Sequence, residues 1–267
     1  MNHLLRAHAP ITDTAWSALD DEARARFLPA LAARKLVDVD EPRGWEHSAT
    51  NLGRAEPLAE VPCPGLSARR RRVLPLVELR ADFTVSRDEL LDADRGAVDL
   101  DLDDLDEAVR TMAQAENMAV FHGWGAAGIV GVAEASPHQH SLEGVAFADY
   151  PGVVARAVEE LLDRGVSGPY GLALGPDGYT GVVETTEHGG LIVFDHLGQI
   201  LGGPIVYAPG VSGAVVLSLR GGDFLFDAGE DLSLGYDHHD AQVVHLYLEE
   251  SFSFRVATPD AAVALTP

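Results

Sequence analysis

Cysteine, aromatic residues and positive charge are all scarce in this chain of 267 residues. Cys63 is the single cysteine. It cannot close an internal disulfide, and no cysteine pair has zinc-site spacing, so a disulfide scaffold and a thiolate zinc site are both excluded and a reducing compartment is expected. Lys and Arg number 19 against 42 Asp and Glu, a formal charge of −23. A nucleic-acid binder carries the opposite sign on its contact face, so no nucleic-acid partner is expected. No uncharged apolar run reaches the ~18–20 residues that cross a bilayer, which leaves no membrane role. The first ten residues, with Arg6 as their one fixed positive side chain, lack the apolar centre of a secretory signal. A soluble, cytoplasmic chain is the expectation.

Catalytic motifs are missing too. There is no Gly-x-Ser-x-Gly elbow, Gly221-Gly222 is not followed by Gly-Lys-Ser/Thr, and Cys63 lies between Pro62 and Pro64 with no activating context. The densest set of possible ligands is Asp237-His238-His239-Asp240 with His245 nearby; His138 and His140 form a second. Adjacent residues rarely ligate one ion with good geometry, so both read as solvated turns and no metal is assigned. The chain is read as not an enzyme.

A hydrophobic content of 46% suffices for one sizeable core or two modest ones. Thr12 can cap a helix whose apolar positions Trp16, Leu19, Ala23 and Phe27 recur at spacings of three and four, with a charged opposite face and Pro29 disturbing its end. Residues 49–72 are rich in Pro and Gly, lack core-forming residues, and end in the tetrad Arg69 to Arg72, which predicts an extended excursion. In an assembly of acidic subunits such a basic arm has acidic neighbours to land on. Residues 73–84 read as a strand, and residues 103–121 as a helix of about five turns, with acidic residues at its start and Gly123 at its end. A helix follows Tyr150-Pro151 and ends at Gly165. Strands are expected at 170–174 and 211–219, separated by a Gly-rich stretch, and again at 242–256. The mixture is α+β.

Several blocks occur in an order and spacing that resemble one family: Arg34 to Val39 with Gly44-Trp45, Pro75 to Thr84, Gly168-Pro169-Tyr170, Arg220 to Phe224, and Asp231 to Tyr236. They resemble the encapsulins, bacterial nanocompartment shell proteins also called linocin-like bacteriocins. Ala9-Pro10, Ala15-Trp16 and Tyr247 to Phe254 look most like the actinobacterial members. The resemblance implies the Hong Kong 97 type of phage capsid fold. Residues 1–48 would be the N-terminal arm, its helix and the start of a peripheral domain, and 49–72 an extended loop that interlocks neighbours. Residues 73–127 would be peripheral domain with the spine helix, 128–219 an axial domain, and 220–267 the rest of the peripheral domain.

The resemblance also implies a function that resides in assembly: an icosahedral shell, sixty copies at this length, enclosing a cargo enzyme that carries a C-terminal targeting peptide, either a dye-decolourising peroxidase or a ferritin-like protein. Phe27, Leu31, Val37, Leu232, Leu234 and Tyr236 are the expected apolar lining of the peptide groove, with Arg34 and Asp38 as polar flanks. Glu187, His188, Gly189 and Gly190 are expected nearest the five-fold opening. Ser86-Arg87-Asp88 stands where some members place an aromatic residue beside a flavin, so no cofactor is carried over. The alternatives are a phage capsid subunit, with the same fold, and a free-standing bacteriocin or protease-like enzyme.

Overall fold

The computed structural model describes residues 3–187 and 189–267. Two five-stranded sheets and one projecting hairpin carry the architecture. In the first sheet, β1 (Asp38–Val39) lies parallel to β9 (Phe224–Ala228). The 14-residue β11 (Val243–Val256) is its centre: β4 (Val77–Ser86) runs antiparallel along one edge, and β10 (Ser233–His239) and then β9 share the other. With strands on both sides, β11 is buried continuously from Leu246 to Phe254, so the alternation in its sequence describes only its first residues.

Three helices cover this sheet: α1 (Asp13–Ala30), α2 (Arg87–Arg95) and α3 (Asp103–His122). The Thr12 hydroxyl accepts from Ala15 N at 3.2 Å and starts α1, which ends one residue past Pro29. Trp16, Leu19, Ala23 and Phe27 of α1 pack with Leu105, Val109 and Met112 of α3 and with Phe83, Leu246 and Leu248 of the sheet. Twenty residues make α3 about 30 Å long. Its far end, Ala119 to Phe121, enters the second core, so one rod joins the two. Gly123 stops it at φ +90°, where a Cβ would also meet Gly131 N at 2.8 Å.

The second sheet has the order β5 (Gln139–Ser141), β12 (Ala262–Thr266), β8 (Ala214–Ser218), β6 (Tyr170–Leu174), β7 (Ile205–Tyr207). Residues 262–266 thus pair in the second sheet with β8, although the resemblance implied that 220–267 form one part of the peripheral domain. The reason is pairing: Ala262 to Leu265 are all buried and run antiparallel to β8. The short α4 (Val132–Ala135) packs beside β12, and α5 (Tyr150–Asp163) buries Val153, Val154, Ala157 and Leu161.

Two further helices, α6 (Pro176–Glu184) and α7 (Val193–Leu201), fill what the sequence presented as a Gly-rich stretch. Glycine lowers helix propensity, but a Cβ on Gly181 would strike the Phe147 ring, so packing selects glycine there over propensity. The strand expected from residue 73 breaks at Leu76. Residues 69–75 instead form β3 (Arg69–Pro75), which pairs with β2 (Ala49–Pro57) in a hairpin separate from both sheets.

Candidate functional site

The C-terminal end of α1 and the turn between β9 and β10 enclose a trough of about 560 Å³. Phe27, Leu31, Arg34, Leu232 and Leu234, all named from the sequence, line it together. Leu4, Arg6, Asp20, Ala23, Arg24, Leu28, Asp231 and Ser233 complete it. Four of these additions, Asp20, Ala23, Arg24 and Leu28, lie on α1; the sequence reading had Ala23 on its apolar side and placed Asp20 and Arg24 on its opposite, charged face. Arg6 donates to the Asp20 carboxylate at 3.1 and 2.7 Å and lies 4.0 Å over the Trp16 ring, fastening the N-terminal segment to α1. Leu28 is 58% exposed, an apolar side chain on the trough with no protein cover.

Three residues expected in this groove are elsewhere. Tyr236 is buried in the core behind the trough, its hydroxyl 2.6 Å from His239 Nδ1 and its backbone N–H donating to Leu4 O. Strand alternation does put it on the Leu234 face, but two residues further along β10, where its backbone meets the N-terminal segment. Val37 packs against the second core, and Asp38 faces a separate small cleft, accepting from Gly222 N at 2.7 Å. A 3-10 turn at Ala33–Lys35 redirects the chain, so that Arg34 lines the trough while residues 37 and 38 leave it and Asp38–Val39 pair with β9.

That turn is held by Asn117, a buried residue of α3 that carried no signal in the sequence. Its Oδ1 accepts from Ala32 N and Ala33 N, both at 3.0 Å, and its Nδ2 donates to Ala30 O at 2.9 Å and Pro209 O at 3.2 Å. Every hydrogen-bonding site of the amide is used, as burial requires.

Arg34 is consequently fixed over an acidic floor. Its Nε donates to Glu116 Oε2 at 2.8 Å, its Nη1 to Asp231 Oδ1 at 2.6 Å and its Nη2 to Glu250 Oε2 at 3.0 Å. The guanidinium also stands 5.0 Å from the Phe226 ring and 5.7 Å from that of Phe27. Glu116 and Glu250 have 0% and 1% of their side chains exposed, whereas Asp231 is half exposed. Burial works against the charge on Arg34, but Glu116 and then Glu250 more than offset it and hold the guanidinium above its ordinary pKa. Burial pushes the Glu116 carboxyl up against the pull of Arg34, and burial followed by the charge of Glu116 pushes Glu250 well above the ordinary carboxylate range.

The expected pore residues sit in the turn between α6 and α7. Glu187 N donates to Leu191 O and Gly190 N to Glu187 O, both at 2.9 Å, while Glu187 Oε1 lies 2.7 Å from His196 Nδ1. Gly189 and Gly190 are exposed, and His188 lies outside the described residues. Of the histidine clusters, His238 stacks on His245 at 4.0 Å, and His138 lies between Glu160 and Asp260. Among the described residues no group of three His, Cys, Asp or Glu could hold a metal ion, and no helix is long and apolar enough to cross a membrane.

Comparison with known proteins places this geometry in a family. Residues 1–253 match the family described as "Encapsulating protein for peroxidase". The type 1 encapsulin shell protein of Rhodospirillum rubrum is 50% identical over 271 residues, covering 99% of this chain and 96% of that protein. That of Mycobacterium tuberculosis is 40% identical over 268 residues, covering all of both. The virus-like particle from Pyrococcus furiosus superposes with a TM-score of 0.63 at 18% identity, over 95% of this chain and 98% of that one. The capsid of an empty GTA particle does so with 0.54 at 15% identity, over 89% and 90%. The fold is therefore the Hong Kong 97 type of the phage capsids, and by sequence across its full length the chain belongs to the encapsulin family of shell proteins.

Proposed function

We propose that this chain builds a closed icosahedral compartment of sixty copies in the cytoplasm and that the trough beside α1 receives the C-terminal targeting peptide of a cargo enzyme. The observation that carries the reading is the trough itself: apolar Phe27, Leu28, Leu31, Leu232 and Leu234 around a fixed, charged floor. A peptide binds such a surface through apolar anchors, with a few polar contacts setting its register. Weak single sites suffice, because a multimeric cargo engages several at once. The description of the family favours a peroxidase as cargo, with a ferritin-like protein as the other expectation. In the same reading the β2–β3 hairpin clasps a neighbouring subunit, and the turn at Glu187, Gly189 and Gly190 lines the five-fold opening. The chain's own part is structural rather than catalytic. Co-expression with a peroxidase that carries a C-terminal targeting peptide tests the groove: Leu28→Asp and Leu232→Asp should give intact but empty particles. Full particles from both variants would move the peptide site elsewhere.

A further inference from the structure

One cation is shared by two wholly buried carboxyls and a third at the surface. Arg34 takes one oxygen each from Glu116, Glu250 and Asp231, and the remaining Oε1 atoms of Glu116 and Glu250 are buried without a hydrogen-bond partner. Two desolvated carboxylates against a single guanidinium leave an uncompensated charge, which is costly, and an orphaned buried oxygen adds to the cost. A proton between the two carboxyls removes both defects, turning one oxygen into a donor and cancelling the excess charge.

Among the described residues the surroundings offer no other compensation. Lys35 turns away to Pro29 O at 2.8 Å. Glu230 accepts from Ser233, Asp227 faces Arg43 and His47, and Glu249 is tied to His3. Opposite Glu250 on β4 stands Leu79, and from α1 and β9 the guanidinium meets only the rings of Phe27 and Phe226.

We propose that Glu116 and Glu250 share one proton beneath the trough, and that this proton keeps Arg34 seated against Phe27 and Asp231, making the shape of the trough depend on pH. When the proton passes to bulk water, the buried site carries two negative charges against one positive, Asp231 adds a third, and the floor opens to water. The protonated state is the one that presents a dry apolar trough. Its meaning for cargo rests on the groove reading above, but the device itself does not.

The test uses the full-length assembled shell without any peptide. Cys63→Ser removes the exposed thiol and Leu28→Cys places one on the trough, to be labelled with the environment-sensitive dye acrylodan. Raising the pH should shift the dye emission to the red, with a midpoint above the usual carboxylate range, and Glu250→Gln or Glu116→Gln should abolish the shift. A shift of unchanged midpoint in the Gln variants, or none in the parent while the shell stays intact, overturns the proposal. Infrared difference spectra of the unmutated shell serve if the variants fail to assemble: a protonated-carboxyl C=O band should persist at neutral pH and vanish on alkalinisation, and its absence at neutral pH refutes the shared proton. Neither readout contains cargo, so a negative result here leaves the peptide reading standing, and empty particles from Leu232→Asp say nothing about the proton.

Discussion

Arg34 Nη2 and Glu250 Oε2 lie 3.0 Å apart although 216 residues separate them in the chain. The contact ties the turn after α1 to the central strand of the first sheet, so the trough wall and that sheet share one fastening. Arg34→Met removes the cation from Glu116 and Glu250 together and should lower stability by about 3–5 kcal/mol, the usual effect of stranding a buried charge. Thermal unfolding of the variant checks it, and a midpoint within a degree of the parent would show that the network is dispensable.

Stability should decline with rising pH in the range above the ordinary Glu value of 4.5. Burial and the charge of Glu116 raise Glu250 well above that value in the folded chain. Between the two values the native state binds more protons than the unfolded chain, so each step up in pH favours unfolding until the folded pair has titrated. One proton corresponds to at most about 1.4 kcal/mol per pH unit. Melting temperatures from pH 5 to 9 should therefore fall less steeply for Glu250→Gln than for the parent.

Asn117→Ala abandons the buried backbone N–H of Ala33, while that of Ala32 keeps Ala30 O at 2.9 Å. That unsatisfied group costs about 1–3 kcal/mol, and Arg34 loses the turn that aims it. Reduced yield of assembled particles and a lower melting point are expected.

Leu28→Ala separates binding from folding. The side chain is 58% exposed, so the subunit should lose no more than about 0.5 kcal/mol. Cargo loading, read as the ratio of cargo to shell protein in purified particles, should drop. Phe27→Ala differs, since Phe27 is 4% exposed and its truncation opens a cavity as well.

In the hairpin, Arg70 pairs with Glu56 across the strands, an exposed pair contributing little to the subunit. Replacing Arg69, Arg70, Arg71 and Arg72 by Glu should leave the far-ultraviolet spectrum unchanged yet shift the protein from megadalton particles to small species in size-exclusion chromatography. Salt at about 1 M, which shortens the screening length to roughly 3 Å, should weaken assembly of the parent in the same direction.

Local rules made much of this chain legible. The Thr12 cap, the apolar spacing of α1, the acidic start and glycine stop of α3, and Pro151 at the head of α5 each act within one or two turns, so the residues themselves specify them. The ordered blocks from Arg34 to Tyr236 carried the family. Five of eight expected groove residues meet in the trough because helix periodicity and a strand end place them on one surface. Tertiary structure alone decided the rest. Val37 and Asp38 leave the trough because Asn117, 80 residues later in sequence, fixes a turn that redirects the chain. Residues 262–266 belong to the second sheet because they pair along β8, and α6 forms where packing of Gly181 against Phe147 overrides the reluctance of glycine. Above all, Glu116, Glu250 and Arg34 are ordinary charged residues until three distant elements bury them against one another, since desolvation exists only in the folded state.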